Sequence, residues 1–120
     1  MAKVLIVDDS ALSRRILRRI LEEAGHDVFE AEDGMVALEK YFLEKPDLVL
    51  LDLIMKGMVG VEVLQKIRQM DDSARIVVAS ADIQNSTKVI TEKAGAMGFL
   101  TKPFNEAQVI SAVDSALKER

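Results

Sequence analysis

The 120-residue chain is predicted to form one α/β domain in which helices cover both faces of a parallel sheet. Short apolar runs alternate five times with stretches of helical periodicity. Residues Leu48–Leu51 are apolar without alternation, which is typical of a strand buried on both faces. The connections are short, and no linker, internal repeat or low-complexity tract is found. A single domain over residues 1–120 is therefore expected.

The first half of the chain supplies three strands and two helices. The strands are predicted at Lys3–Val7, within His26–Glu32, and at Leu48–Leu51. Ser10 can cap the first helix, and Gly25 is placed to end it. The Asp33-Gly34 turn leads into a second helix that extends to about Leu43. The apolar positions of these helices are Leu12, Ile16, Leu17, Ile20, Leu21, Val36, Leu38, Phe42 and Leu43.

The second half of the chain adds two strands and three helices. The strands are predicted at Ile76–Ala79 and Met97–Leu100. A third helix is expected between Gly60 and Asp71, and a fourth runs from about Asn85 to Lys93 with Val89 and Ile90 facing inward. Asn105 and Gln108 have the spacing of a capping box for the last helix.

Composition excludes several classes of protein. The net charge of −4 argues against direct nucleic-acid binding. The absence of cysteine excludes a disulfide framework and a cysteine-based metal site. The apolar runs are too short to insert into a membrane, and the first residues lack the shape of a signal peptide, so a cytoplasmic protein is expected.

Polar side chains follow four of the five predicted strands. Asp8 and Asp9 follow the first strand, Asp52 the third, Ser80 the fourth and Lys102 the fifth. In parallel sheets, ligands bind at the edge where the strands have their carboxyl ends. We therefore expect these five side chains to gather at one edge of the sheet.

This set of residues has the chemistry of a phosphoryl site. Two carboxylates ~4 Å apart repel by about 4 kcal/mol at an effective dielectric constant of 20, which favours a bound cation. Oxygen ligands without Cys or His suit Mg²⁺. Lys102 adds an ammonium group and Ser80 a hydroxyl that can bond an oxyanion. A carboxylate such as that of Asp52 can itself act as the nucleophile and become an aspartyl-phosphate.

Four motifs in this order resemble the receiver domain of two-component response regulators. The motifs are Leu5–Ser10, the stretch around Asp52, Ala79–Ala81 and Thr101–Phe104. The resemblance extends over essentially the whole chain. It implies a flavodoxin-like (βα)5 sandwich whose five-stranded parallel sheet has the order 2-1-3-4-5.

The resemblance also implies a role for each site residue. Asp52 corresponds to the phospho-acceptor, and Ser80 and Lys102 to the residues that bind the phosphoryl oxygens. The implied Mg²⁺ ligands are Asp8, Asp9, Asp52 and the backbone carbonyl of Ile54. Phe99 matches the aromatic position that changes rotamer together with Ser80. The Lys102-Pro103 peptide is expected to be cis.

The function implied is that of a signalling switch rather than an enzyme. A sensor histidine kinase or a histidine phosphotransfer protein would phosphorylate Asp52, and a surface would change shape to bind an effector protein. An aspartate-nucleophile phosphohydrolase is an alternative, although Ile54 stands where such enzymes carry a second aspartate. A flavin-binding module and a receiver domain cut from a longer regulator are further alternatives.

Two features of the sequence are specific to this chain. Lys56 stands where the family usually has proline, and Val59 where it often has Asp or Asn, so a mobile Lys56–Gly60 loop is expected.

The first helix carries four arginines: Arg14, Arg15, Arg18 and Arg19. Arg18 and Arg19 precede Glu22 and Glu23 by four residues, so pairing along the helix explains part of this stretch, and docking of an acidic partner is the other interpretation.

Overall fold

The structure, a computed structural model, describes residues 2–55, 60–81 and 85–118. Strands and helices alternate along these residues as predicted. The strands are β1 (Lys3–Val7), β2 (Asp27–Ala31), β3 (Leu48–Leu51), β4 (Ile76–Ser80) and β5 (Gly98–Thr101). The helices are α1 (Ala11–Glu23), α2 (Gly34–Glu44), α3 (Gly60–Met70), α4 (Asn85–Lys93) and α5 (Glu106–Lys118).

The strands form one parallel sheet with the order β2-β1-β3-β4-β5, which confirms the predicted fold. The first and third strands are neighbours, and Val7 is in register with Leu51. The backbone N–H of Asp52 donates to the carbonyl of Val7 over 2.9 Å. This register places the residues that follow the two strands, Asp8 and Asp52, side by side at the carboxyl edge of the sheet.

Each face of the sheet carries its own hydrophobic core. One core joins β-strand residues such as Val4 and Ile6 to α1 and α5. The other joins Leu5 and Val7 to α2 and α3. Alternate residues of β1 therefore face opposite cores, as expected for a strand covered on both sides.

Side chains cap the first turns of α1 and α5, which follow the carboxyl edge of the sheet. The hydroxyl of Ser10 accepts a hydrogen bond from the N–H of Ser13 over 3.2 Å, and Asn105 accepts one from Gln108 over 3.1 Å. Both caps were predicted from the sequence. Gly25, with φ of 93°, follows α1 at the position where a left-handed residue ends a helix.

Five apolar positions were predicted wrongly. They are exposed rather than buried: Leu12, Phe42, Leu43, Val89 and Ile90. On α2 and α4, polar side chains occupy inward positions instead. Leu12 lies at the start of α1, whose buried residues are Leu17, Ile20 and Leu21.

Tyr41 and Thr91 are those polar residues. The ring of Tyr41 is buried because its hydroxyl donates to Asp71 over 2.9 Å. The hydroxyl of Thr91 donates to the carbonyl of Thr87 over 2.8 Å, so this residue can be fully buried. In each helix a hydrogen bond thus satisfies the hydroxyl of the buried residue, so that a polar side chain can occupy an inward position.

Over the described residues, every helix is too short or too polar to cross a lipid bilayer.

Candidate phosphoryl and cation site

Asp52 lies at the centre of the site, directly after β3, with only 3% of its surface exposed. One carboxylate oxygen, Oδ1, accepts hydrogen bonds from the backbone N–H of Ile54 at 2.9 Å and the hydroxyl of Ser80 at 2.8 Å. The other oxygen, Oδ2, accepts one from Nζ of Lys102 at 2.9 Å. Three donors from three segments of the chain therefore compensate the buried charge of Asp52.

Lys102 bridges two buried carboxylates. Its Nζ lies 2.9 Å from Oδ2 of Asp8 and 2.9 Å from Oδ2 of Asp52. The contact with Asp8 is an ion pair without the geometry of a hydrogen bond, because Oδ2 of Asp8 has no hydrogen-bond partner among the described residues. Oδ1 of Asp8 accepts from the N–H of Ser10 at 2.9 Å.

The pKa values of Asp8 and Lys102 are both raised above their usual values. Burial raises the pKa of the Asp8 carboxyl, and the hydrogen bond from Ser10 opposes that rise only in part. Burial alone would lower the pKa of Lys102, but its hydrogen bond to Asp52 and its ion pair with Asp8 outweigh burial and raise that pKa. Lys102 is therefore charged at neutral pH, as a residue that neutralises two carboxylates must be.

Three carboxylates at this edge could hold a divalent cation. Oxygen atoms of Asp8, Asp9 and Asp52 all lie within 4.8 Å of one another. Asp9 is exposed, and Oδ2 of Asp8 is a buried acceptor that receives no hydrogen bond from the part of the chain that the structure describes. An all-oxygen donor set with one such acceptor fits Mg²⁺, which keeps several of its waters. The predicted ligand role of the Ile54 carbonyl stays a prediction.

The predicted switch pair lies on β4 and β5. Ser80 is fully buried and bonded to Asp52, whereas Phe99 is half-buried and packs against the core under α2 and α3. The Nζ of Lys88, on α4, lies 5.7 Å from the centre of the Phe99 ring, within range of a cation–π contact. Lys102-Pro103 is cis, as the resemblance implied.

Most of the loop that departs from the family pattern lies outside the described residues. Lys56 and Val59 lie outside the described residues, so the expected mobility of that loop stays a prediction. Gly60 is described: a Cβ atom there would lie 2.4 Å from Cα of Leu53 and 2.9 Å from the carbonyl oxygen of Asp52. The first residue of α3 thus packs directly on the backbone that carries Asp52.

Two arginines of α1 contact Glu30, and these contacts were not predicted from the sequence. Arg14 donates to the backbone carbonyl of Asp8 over 2.7 Å and to Glu30, on β2, over 2.9 Å. Arg18 contacts the same glutamate over 2.5 Å and the predicted partner, Glu22, over 2.8 Å. The spacing along α1 was informative for Glu22, but no local pattern indicates a partner on another strand.

The pKa of Glu30 provides a test of this arginine pair. Burial alone would raise the pKa of Glu30, but the hydrogen bonds from Arg18 and Arg14 outweigh burial and lower it below 4.5. Because the pKa of Glu30 is lowered in the folded state, its contacts with the two arginines stabilise the fold at pH values above the unfolded-state pKa. This contribution is lost as the pH falls through the folded-state pKa. We expect the free energy of unfolding of the wild type, minus that of Glu30→Gln, to decrease in that acidic window. Urea unfolding at a series of pH values measures the difference; a difference independent of pH would contradict the assignment.

The sequence and the fold are similar to those of proteins of known class. Residues 4–114 match the sequence model of the response regulator receiver domain. The chain is 40% identical to the chemotaxis protein CheY of Thermotoga maritima, over 97% of this chain and 98% of that protein. It is 36% identical to the alkaline phosphatase synthesis transcriptional regulatory protein PhoP of Bacillus subtilis, over 97% of this chain and 48% of PhoP.

Solved structures agree with these similarities. The chemotaxis protein CheY4 of Vibrio cholerae superposes with a TM-score of 0.93 at 31% identity, covering 97% of this chain and 98% of CheY4. The similarity therefore includes both the sequence and the order of the strands. The chain belongs to the response regulator receiver domain family and is a phospho-accepting switch of two-component signalling.

Proposed function

We propose that Asp52 is the residue that accepts the phosphoryl group, with Asp8 and Asp9 as cation ligands and Lys102 and Ser80 as the groups that bind the phosphoryl oxygens. One observation carries the proposal: Asp52 is almost fully buried, yet its carboxylate is bonded to Ser80 and Lys102 beside two further acids. A carboxylate placed only for structure would not need two acidic neighbours at one edge of the sheet.

The transfer step follows from these contacts. A carboxylate oxygen of Asp52 attacks the phosphorus of a phosphohistidine in line, the P–N bond breaks, and its electron pair stays with the departing imidazole nitrogen. Mg²⁺, when bound, neutralises negative charge on the transferring phosphoryl oxygens. Lys102 is positioned to hold a phosphoryl oxygen through its ammonium, and Ser80 can donate its hydroxyl to another.

Hydrolysis resets the switch. Water attacks the phosphorus of the acyl phosphate, the P–O bond to Asp52 breaks, and the carboxylate and inorganic phosphate are released. Between the two steps, the new oxygens compete for the hydroxyl of Ser80, which is bonded to Asp52 in this structure. A shift of Ser80 would change the space beside Phe99 and so the surface formed by α4 and β5.

The donors and receivers of the signal are proposed as classes. A sensor histidine kinase or a histidine phosphotransfer protein would supply the phosphoryl group, and an effector protein would bind the changed surface. The chain would catalyse only its own phosphorylation and dephosphorylation. The cytoplasmic location expected from the sequence stays a prediction.

Incubation with acetyl phosphate and Mg²⁺ tests the acceptor directly. We expect the intact mass of the wild type to increase by one phosphoryl group, and Asp52→Asn to remain unmodified because its amide is not a nucleophile. Omission of Mg²⁺, or addition of a chelator, should suppress the modification. Modification of Asp52→Asn to the wild-type level would show that another residue is the acceptor.

A receiver domain within a longer regulator is the second candidate. It is favoured by the similarity to PhoP, of which the matched region forms 48%. In that case the changed surface would act on a domain of the same polypeptide rather than on a separate protein.

A further inference from the structure

The four arginines of α1 differ in their surroundings. Arg15 and Arg19 are exposed, whereas the side chain of Arg14 is only 15% exposed. Arg14 uses two different nitrogens: Nη1 donates to the carbonyl oxygen of Asp8 at 2.7 Å, and Nε donates to Oε1 of Glu30 at 2.9 Å. These two nitrogens of Arg14 therefore donate to acceptors within the domain, one on β2 and one directly after β1, and not to a partner molecule.

Glu30 is itself held in place. Its second oxygen, Oε2, accepts from Nε of Arg18 at 2.5 Å, and Arg18 also donates to the carbonyl of Val28 at 3.2 Å. Glu30 is thus a fixed anion on β2 with an arginine on each oxygen. Arg14 has no freedom to follow Asp8 if that residue moves, because the glutamate fixes the other side of its guanidinium.

The carbonyl that Arg14 contacts lies between the two proposed cation ligands. It belongs to the peptide group that joins Asp8 to Asp9, and this group is planar. The N–H of Asp8 donates to the carbonyl of Ala31 at 3.1 Å, so β2 fixes the peptide group on the other side of the residue as well. The hydrogen bond from Arg14 to this carbonyl therefore fixes the orientation of the Asp8–Asp9 peptide plane, and with it the position of Asp9 relative to Asp8.

We propose that Arg14, anchored by Glu30, is a positioning residue that orients the Asp8–Asp9 peptide so that both carboxylates face one divalent cation. The proposal deepens the proposed function, since it assumes that Asp8 and Asp9 are the cation ligands. Groups that orient metal ligands typically change metal affinity 10- to 100-fold when they are removed.

The sign of the effect separates positioning from simple electrostatics. Arg14 is a cation near a cation site, so its charge alone should weaken Mg²⁺ binding, and its removal should strengthen binding. Positioning requires the opposite: removal of Arg14 should weaken binding. A purely structural role would lower the stability of the metal-free protein and leave the affinity of the remaining folded protein unchanged.

The experiment is a calorimetric titration of Mg²⁺ into Arg14→Met, with Arg15→Met as the matched control. Arg15 is the exposed neighbour on the same helix and carries the same charge. We expect the Mg²⁺ Kd of Arg14→Met to rise about tenfold, and that of Arg15→Met to stay within about twofold of the wild type. The rate of modification by acetyl phosphate should reach half of its maximum at a correspondingly higher Mg²⁺ concentration in Arg14→Met, and at the wild-type Mg²⁺ concentration in Arg15→Met.

Two further variants keep the test decisive if Arg14→Met folds poorly. Arg14→Lys retains the charge but cannot reach both acceptors with a planar fork, so its Kd should also rise. Glu30→Gln should weaken Mg²⁺ binding less, and the double variant with Arg14→Met should be no weaker than Arg14→Met alone, because both changes break one chain of contacts.

The outcomes distinguish this proposal from the proposed function. An unchanged or lower Kd in both Arg14→Met and Arg14→Lys, with a wild type that binds Mg²⁺ and is phosphorylated, overturns the positioning role alone. A wild type that neither binds Mg²⁺ nor accepts a phosphoryl group overturns the proposed function and the positioning role together.

Discussion

Lys102→Met should destabilise the metal-free protein by about 3 kcal/mol. The ammonium of Lys102 lies 2.9 Å from an oxygen of Asp8 and 2.9 Å from an oxygen of Asp52, and both acids are almost fully buried. Methionine preserves most of the volume but leaves two buried carboxylates without their shared counter-ion. The lower end of the range for broken buried pairs applies, because the lysine side chain is itself 21% exposed.

Urea unfolding with and without Mg²⁺ measures this effect. We expect Mg²⁺ to stabilise Lys102→Met more than it stabilises the wild type, because the cation can supply the missing positive charge and binds only the folded site. Lys66→Met, an exposed lysine on α3, serves as the control and should change stability by less than about 0.5 kcal/mol.

The loss of unfolding free energy in Lys102→Met distinguishes a buried ion pair from a solvent-screened one. A loss below about 1 kcal/mol would match a solvent-screened surface pair and would contradict the bridging role of Lys102. Phosphorylation by acetyl phosphate gives an independent readout, since a missing ammonium should also slow transfer to Asp52 even when Mg²⁺ is saturating.

The central part of the site could be predicted because a parallel sheet converts sequence position into spatial position. A polar residue of the site ends or follows four of the five strands, and strands that run in the same direction bring those residues to one edge. Asp8 and Asp52 are far apart in the chain but adjacent in the sheet, because Val7 and Leu51 are in register. A buried strand followed by an acid is a local pattern, so it can be recognised in a single sequence.

The parts that could not be predicted depend on contacts between elements. Arg14 reaches Glu30 across 16 residues of chain, and the buried Tyr41 donates a hydrogen bond to Asp71, 30 residues away. Hydrophobic periodicity treats Tyr41 as less apolar than Phe42 and therefore selects the wrong residue for the core. Such pairs leave no periodic signature, because each partner is favourable only when the other is present.

Backbone groups are invisible to a search for functional side chains. The N–H of Ile54 donates to Asp52, although the side chain of Ile54 is 62% exposed and chemically inert. The same holds for Gly60, which lacks a side chain and lies against the backbone of Asp52 and Leu53. The sequence identified Gly60 only as part of a loop, because a close approach between two backbones depends on the three-dimensional packing of α3.

Gly60→Ala should therefore lower both stability and the rate of phosphorylation. The new Cβ would lie 2.4 Å from Cα of Leu53 and 2.9 Å from the carbonyl oxygen of Asp52, and neither atom belongs to a flexible side chain. Either α3 or the segment after β3 must move. We expect a loss of about 2 kcal/mol, as for other overpacked sites, and slower modification by acetyl phosphate because Asp52 is displaced from Lys102.

Gly98→Ala is the matched control for this prediction. The Cβ of an alanine there would lie 3.6 Å from a methyl carbon of Val77, an ordinary packing distance, and it would add a side chain to β5 rather than a clash. This variant should be neutral or more stable by about 0.5 kcal/mol, because alanine restricts the unfolded chain. Urea unfolding and acetyl phosphate kinetics on both variants make the comparison. If Gly60→Ala were as stable and as reactive as Gly98→Ala, α3 would be free to shift without moving Asp52, and the close approach would not position the phospho-acceptor.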